Sequence, residues 1–240
     1  MHILVLGAAG MVGRKLVERL VRDGRLGEAA ITRMTLQDIV APAKPDTSLK
    51  VETIAGDFAV AGFAEKLVAD RPDVIFHLAA IVSGEAELDF DKGYRINLDG
   101  TRMLFDAVRL IGDGYKPRLV FTSSIAVFGA PFPDAIGDEF VNAPLLSYGT
   151  QKAIGELLLA DYSRRGFFDG VGIRLPTPAR PTRRPPASSP TSCASRWPAR
   201  RRCCRCPRTS AIGTPPRARR SASSCMPRPW TPRRSVRAAT

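Results

Sequence analysis

A short apolar segment, a glycine-rich loop and an amphipathic segment follow one another at the start of the sequence. His2 to Leu6 (HILVL) is a continuous apolar run, typical of a strand that is buried on both faces. The loop has the spacing G-x-x-G-x-x-G, and beyond it apolar residues recur at helical spacing as far as Val21. This order restricts the beginning of the chain to a strand–loop–helix unit, the first step of an α/β fold. The loop residues are Gly7, Gly10, Met11, Val12 and Gly13.

The loop predicts a dinucleotide-binding site. Its three glycines allow a tight turn, approach of the backbone to a pyrophosphate and close packing of helix on strand, while the helix N-terminus adds partial positive charge. Asp38 ends the second strand segment, where a carboxylate accepts hydrogen bonds from ribose hydroxyls and repels a 2′-phosphate. We therefore expect NAD rather than NADP as the cofactor. Asp57 and the adjacent Phe58, after the third strand, are expected at the adenine edge.

The first 177 residues alternate strand-like and helix-like segments. Apolar runs at 31–36, 51–54, 73–78, 118–122 and 170–174 predict five further strands. Helical spacing fills the intervals, most clearly over 90–111 and over 148–164, where Ile154, Leu157 and Leu158 are expected to be buried. Alternation of this kind predicts a doubly wound parallel Rossmann sheet with helices on both faces. The expected unit is an α/β NAD-binding domain over residues 1–177.

Tyr148 and Lys152 lie four residues apart in a helical segment, and therefore on one face of the helix. A free tyrosine titrates near ~10, so acting as a base near neutral pH requires a shift of about three units, or roughly 4 kcal/mol. A cation about 4 Å away supplies on the order of 4 kcal/mol at an effective dielectric constant of about 20. The spacing predicts a tyrosine acid–base catalyst that a lysine activates.

Ser124 ends the fifth predicted strand, within the stretch TSSIAVFG at 122–129. Ligands of open α/β sheets bind beyond the carboxyl ends of the strands. The Ser124 hydroxyl is therefore expected at the same edge of the sheet as the glycine loop and Tyr148. A complete set of Ser124, Tyr148 and Lys152 favours an enzyme over a binding module.

In combination these motifs resemble the extended short-chain dehydrogenases/reductases, the NAD-dependent epimerase/dehydratase family. The resemblance covers residues 1–177 and includes HLAA at 77–80 and NLDGT at 97–101. It implies that Tyr148 is the acid/base, that Lys152 also binds the nicotinamide ribose, and that Ser124 hydrogen-bonds the reacting oxygen. Asn97 is implied to support the active-site helix and a proton relay. The cofactor contacts implied in addition are Leu78, Ala79, Ala80, Asn97, Tyr148, Lys152 and Pro176.

Three stretches, at 81–87, 128–134 and 162–170, resemble the members of the family that oxidise small, D-erythronate-like sugar acids. The resemblance implies oxidation of the hydroxyl next to the carboxylate, with NAD as the oxidant. Ser83, Gly84, Ser124 and Tyr148 are the implied substrate contacts. The alternative on the same fold is an NAD-dependent sugar-nucleotide epimerase or dehydratase.

The composition changes abruptly after Thr177. Residues 178–240 hold 16 of the 36 basic residues, all of them arginine, 12 of the 20 prolines, all five cysteines and none of the 23 acidic residues. Such a segment buries too little apolar surface to offset its ordering entropy, so a disordered Arg/Pro-rich tail is expected. The abruptness favours a frameshift product in which the C-terminal substrate lobe is missing or scrambled, and a chain without that lobe can lose its activity. A genuine disordered extension is the alternative.

The tail accounts for the formal net charge of +13, because only 20 basic residues stand against 23 acidic ones before it. Arginine runs at 200–202 and 217–220 suit non-specific phosphate contacts, so a nucleotide-binding protein with a basic, nucleic-acid-associating tail is the alternative of another class. No specific nucleic-acid partner is expected. The cysteines at 203, 204 and 206 lack paired spacing and a nearby histidine, so no metal site is expected.

The sequence shows no signal segment and no apolar run of membrane-spanning length, and residues 1–177 contain no cysteine. A cytoplasmic protein without a membrane partner is expected. In proteins that the chain resembles, the helices around Asn97 and Tyr148 often form a dimer interface. A homodimer is therefore a further implication of the resemblance.

Overall fold

The computed structural model describes residues 1–137 and 140–176. The predicted tail at 178–240, with its cysteines and arginine runs, lies outside the described residues. The strands are β1 (His2–Leu6), β2 (Arg25–Leu26), β3 (Ala29–Ala30), β4 (Arg33–Asp38), β5 (Lys50–Ala55), β6 (Val74–His77), β7 (Arg118–Ser124) and β8 (Asp169–Leu175). The α-helices are α1 (Met11–Asp23), α2 (Phe63–Val68), α3 (Ser83–Leu88), α4 (Phe90–Tyr94), α5 (Thr101–Ile111) and α6 (Ser147–Arg164). A π-helix (Arg95–Gly100) joins α4 to α5, and a 3-10 turn (Ile125–Val127) follows β7.

Six strands form one sheet in the order β5-β4-β1-β6-β7-β8, and every pairing in it is parallel. The predicted Rossmann sheet is confirmed. From β1 the chain moves outward through β4 to β5 and then returns to the other side through β6, β7 and β8. The order therefore reverses between β1 and β6, which is where open α/β sheets bind their ligands. The small β2–β3 pair is antiparallel and separate.

The central strand β1 is buried on both faces, as its apolar run predicts. Ile3 and Val5 pack in one core cluster with Val17 and Leu20 of α1. Leu4 and Leu6 pack in the other cluster, which contains residues of α2, α5 and α6. Because neighbouring side chains of a strand point to opposite faces, one short segment holds the two helical layers together.

Two details of the helices differ from the sequence predictions. Helical spacing predicted one uninterrupted helix over 90–111, but the structure contains the π-helix within that span. In α6 the predicted inward residue Leu157 is 70% exposed, whereas Gln151 and Lys152 are buried. The buried face of α6 is narrow and rich in small residues, since Gly155 packs directly on the Phe121 ring. The spacing of large apolar residues in the sequence does not reveal a buried face of this kind. Within the described part of the chain, no helix is long and apolar enough to cross a membrane.

Candidate active site

The glycine loop turns between β1 and α1 at the point where the sheet order reverses. Gly7 has a φ of +85°, and a Cβ there would lie 2.6 Å from the Ala79 amide nitrogen. A Cβ at Gly13 would lie 2.1 Å from the Gly7 carbonyl oxygen, so neither position accepts a side chain. The first amides of α1 have no acceptor within their own helix. Together with the turn at Gly7 they form a cradle, and these α1 amides are its donors for a pyrophosphate, because the amides of residues 7–10 donate to other atoms of the protein.

Asp38 lies at the end of β4 and directly against this loop. Its Oδ2 accepts from the Ala9 amide at 2.8 Å, and its Oδ1 accepts from the Ile39 amide at 2.7 Å. The Gln37 carbonyl beside it accepts from the Gly7 and Ala8 amides at 2.8 and 3.0 Å. The end of β4 thus positions the loop, a role that the sequence did not indicate. Each Asp38 oxygen keeps a further lone pair for a ribose hydroxyl.

Asp57 lies one strand further out, after β5. Its Oδ1 accepts from the Ala59 amide at 2.9 Å, and its Oδ2 pairs with Arg95 Nη1 at 2.7 Å. Arg95 belongs to the π-helix and was not predicted as a site residue. The Phe58 side chain is buried in the core, with its ring centroid 5.4 Å from that of His77. Cofactor contact by Phe58 therefore depends on its backbone.

The remaining sequence-predicted contacts lie around the same edge of the sheet. Leu78, Ala79 and Ala80 follow β6 and are half-buried, and the Leu78 amide donates to the Leu6 carbonyl at 2.9 Å. Ser83 and Gly84 form the first turn of α3. The other three positions, Met11, Val12 and Pro176, are exposed.

Lys152 is fully buried beneath the end of β7. Its Nζ donates to the Thr122 carbonyl at 2.9 Å and lies 4.8 Å from the Phe121 ring centroid. Burial lowers the pKa of Lys152 to about 8. The same ammonium is 5.9 Å from the Tyr148 ring centroid. The lysine therefore carries its charge close to the tyrosine, although its hydrogen bond goes to the sheet.

Tyr148 lies in the first turn of α6 and is half-buried. Burial raises the pKa of its phenol, and a hydrogen bond with the Ser124 side chain lowers it, the first effect being the larger. The net shift of the tyrosine pKa is upward, and the lowering of that pKa by Lys152 stays a prediction. Ser124, Tyr148 and Lys152 nevertheless lie together at the carboxyl end of β7, as the sequence predicts.

Asn97 lies in the π-helix with its amide turned towards α6. Its Nδ2 donates to Gln151 Oε1 at 2.8 Å and to the Ile81 carbonyl at 3.2 Å, and its Oδ1 accepts from the Ile81 amide at 2.9 Å. Gln151 was missed by the sequence analysis, although it directly precedes Lys152. The only signal for Gln151 in the sequence is that a polar residue stands beside Lys152 in the helical segment.

His77, at the end of β6, is fully buried beneath the same site. Burial, with a smaller contribution from the charge of Lys152, lowers its pKa to about 3. Its Nε2 contacts Thr101 Oγ1 at 2.8 Å, and that hydroxyl donates to the Asn97 carbonyl at 2.8 Å. Because the hydroxyl has a single proton, Nε2 carries the imidazole proton. His77 is therefore a neutral hydrogen-bond donor and not an acid–base group.

The chain is similar to a known protein family over most of its length. Residues 3–201 match the NAD dependent epimerase/dehydratase family. The chain belongs to this family. Among curated members of the epimerase/dehydratase family, D-erythronate dehydrogenase of Cupriavidus necator is 45% identical over 181 residues, which are 74% of this chain and 55% of that protein. D-erythronate dehydrogenase of Haemophilus influenzae is 38% identical over 177 residues, with the same two shares.

Solved structures of the epimerase/dehydratase family share the fold. A nucleoside-diphosphate-sugar epimerase from Agrobacterium tumefaciens is 66% identical with a TM-score of 0.73, over 77% of this chain and 56% of that one. UDP-glucose 4-epimerase of Thermus thermophilus, solved in complex with NAD, is 25% identical with a TM-score of 0.61, over 72% and 54%. The chain thus spans about half the length of the relatives that it matches.

Proposed function

We propose that this chain is an NAD-dependent oxidoreductase that oxidises the 2-hydroxyl of a small, D-erythronate-like sugar acid. The observation that carries the proposal is the cluster of Ser124, Tyr148 and Lys152 at the carboxyl end of β7, on the same edge of the sheet as the glycine cradle. Similarity to two D-erythronate dehydrogenases favours a sugar acid over other substrates of the fold.

The residues present fit NAD. Gly7 packs closely against the segment after β6 and Gly13 against the loop, which leaves the first amides of α1 as donors to the pyrophosphate. Asp38 offers a carboxylate to the ribose hydroxyls and would repel the extra phosphate of NADP. Asp57 and the segment Leu78–Ala80 extend the site on either side. Bound NAD supplies the acceptor for the hydride that leaves the carbon bearing the hydroxyl.

Side chains of this protein bind that hydroxyl and accept its proton. Ser124 hydrogen-bonds the substrate oxygen and the phenol, and Tyr148 takes the proton. Because burial raises the pKa of Tyr148, its phenolate depends on positive charge close by. Lys152, with a pKa of about 8, is mainly protonated at neutral pH and supplies that charge. Ser83 and Gly84 contact the sugar acid at the mouth of the site.

The proposal is tested by mixing the full chain with NAD and D-erythronate and following NADH. Net NADH formation supports it. The alternative, sugar-nucleotide epimerisation, is tested with UDP-glucose, and product formation without net NADH would replace the proposal with that activity. Absence of both reactions would contradict the proposed activity of this chain.

The proposal extends to a cytoplasmic homodimer. The support for the dimer is the similarity to the family, in which the helices around Asn97 and Tyr148 often form a dimer interface. Light scattering of the purified chain measures the oligomeric state, and a monomer at every concentration would contradict the dimer. Fractionation of the source cells tests the location.

A further inference from the structure

Four buried polar side chains form a continuous path from β6 through the π-helix to α6. His77 donates to Thr101, Thr101 donates to the Asn97 carbonyl, and the Asn97 amide donates to Gln151, each at 2.8 Å. All four residues are at most 1% exposed. Because a buried polar group that loses its partner carries a desolvation cost, the path favours one arrangement of these elements.

The carboxamide of Asn97 has one permitted orientation. Its Oδ1 accepts from the Ile81 amide and its Nδ2 donates to the Ile81 carbonyl, so the segment after β6 holds one side of the group. The second Nδ2 proton goes to Gln151 Oε1. Reversing the amide would set its N–H₂ group against the Ile81 N–H. Gln151 therefore completes the set of partners that orients Asn97.

The segment that carries Asn97 is itself unusual. π-Helices are rare and are frequently found at functional sites. Here α6 supplies a hydrogen-bond acceptor to Asn97, the third residue of the segment. Since Gln151 directly precedes Lys152, one stretch of α6 positions both the ammonium and the π-helix.

The space around Gln151 is shaped for its side chain. A Cβ added at Gly93 would lie 2.8 Å from Gln151 Nε2 and 3.2 Å from the Ala86 Cβ. Gly93 lies four residues before Asn97, on the same helical span. The chain thus leaves out a side chain where the Gln151 amide needs room. Gln151 Nε2 has no hydrogen-bond partner among the described residues. The side chain of Gln151 therefore takes part in this path as an acceptor, through Oε1.

We propose that Gln151 is a positioning residue that holds Asn97, and with it the π-helix, in the orientation the active site uses. The inference rests on the proposed dehydrogenase for its effect on turnover. Its effect on the π-helix is independent of any substrate. Gln151→Leu removes the acceptor at similar volume, Gln151→Glu keeps an acceptor oxygen at the same reach, and Gly93→Ala displaces the glutamine without changing it.

The test combines amide hydrogen exchange with steady-state kinetics on the full chain. Gln151→Leu and Gly93→Ala are expected to speed exchange at Arg95–Gly100 about fivefold or more, as the loss of one buried hydrogen bond implies. Their kcat is expected to fall by about a hundredfold, the usual cost of misplacing a group by about 1 Å, with the KM for NAD within about twofold. Gln151→Glu is expected to retain slow exchange and most of kcat.

Leu159→Ala is the matched control, because it weakens the buried face of the same helix two turns further on. It is expected to lower overall stability while leaving exchange at Arg95–Gly100 and kcat unchanged. Unchanged exchange in Gln151→Leu would overturn the inference whether or not the chain turns over. Faster exchange with an unchanged kcat would show that Gln151 stabilises the π-helix without affecting catalysis. That result would also overturn the inference. If the wild-type chain forms no NADH, the proposed function fails, and the exchange result alone decides whether Gln151 positions Asn97.

Discussion

The ammonium of Lys152 bonds to the carbonyl of Thr122 at 2.9 Å while its Nζ stands 5.9 Å from the centre of the Tyr148 ring. Helical spacing places the two residues on one face of α6, but the hydrogen bond of the lysine ammonium goes to a carbonyl of β7. Burial raises the pKa of the Tyr148 phenol, and the hydrogen bond with Ser124 offsets part of that rise. Lowering of the Tyr148 pKa therefore depends on the positive charges that surround the phenol in the complex with cofactor and substrate.

Replacing Tyr148 by phenylalanine removes the proton acceptor and leaves the ring in place. We expect turnover to fall by about a hundredfold or more, the usual contribution of a general base, with NAD affinity nearly unchanged. NADH formation and a calorimetric NAD titration measure the two quantities. Tyr162→Phe, on the same helix and hydrogen-bonded to Asp106, is the control and should keep turnover. Equal loss in both variants would mean that the base is elsewhere.

Replacing Lys152 by methionine is expected to stabilise the fold while abolishing turnover. The folded pKa of Lys152, about 8, is below its unfolded value, so folding penalises the ammonium. Once the lost bond to Thr122 is set against this penalty, Lys152→Met should raise the free energy of unfolding by about 1–2 kcal/mol at neutral pH.

The same lysine predicts a pH dependence. Since the unfolded chain binds more protons between the two pKa values, wild-type stability should rise by on the order of 2 kcal/mol between about pH 7.5 and about pH 9.5. Urea unfolding at both pH values measures it. Lys152→Met should lack this rise, and an equal rise in the variant would show that another group causes it.

His77 predicts a loss of stability on mild acidification. Its folded pKa, about 3, is below the unfolded value, so the unfolded chain takes up the proton first as the pH falls through about 6.5. The free energy of unfolding should drop by about 1 kcal/mol between about pH 6.5 and about pH 5.5. His77→Gln should remove most of this drop. Burial also lowers the pKa of His2, the other histidine, so His2→Gln should remove a smaller part of the drop, and a larger effect there would contradict the assignment.

The sequence predicts the sheet and the two ends of the site because both depend on local patterns. Apolar runs identify all six strands of the sheet, and the glycine spacing identifies the cradle at β1. The polar path through Asn97 was not predictable beyond Asn97 itself, since Gln151 and His77 reach it from elements 54 and 20 residues away. A π-helix leaves no separate period in a sequence whose apolar residues already suit an α-helix. The prediction that Leu157 is buried failed because small residues of α6, rather than large ones, face the sheet.

The cradle at β1 and the carboxylate of Asp38 are expected to form the site for NAD. Calorimetric titration of the full chain with NAD and with NADP tests this site, with Asp38→Asn as the variant and the exposed Asp113→Asn as the charge-matched control. We expect the wild type and the control to bind NAD more tightly than NADP, and this preference to be clearly smaller in Asp38→Asn as the repulsion of the 2′-phosphate is lost. Absence of NAD binding, or NADP binding as tight as that of NAD in the wild type, would show that Asp38 and the cradle do not form such a site.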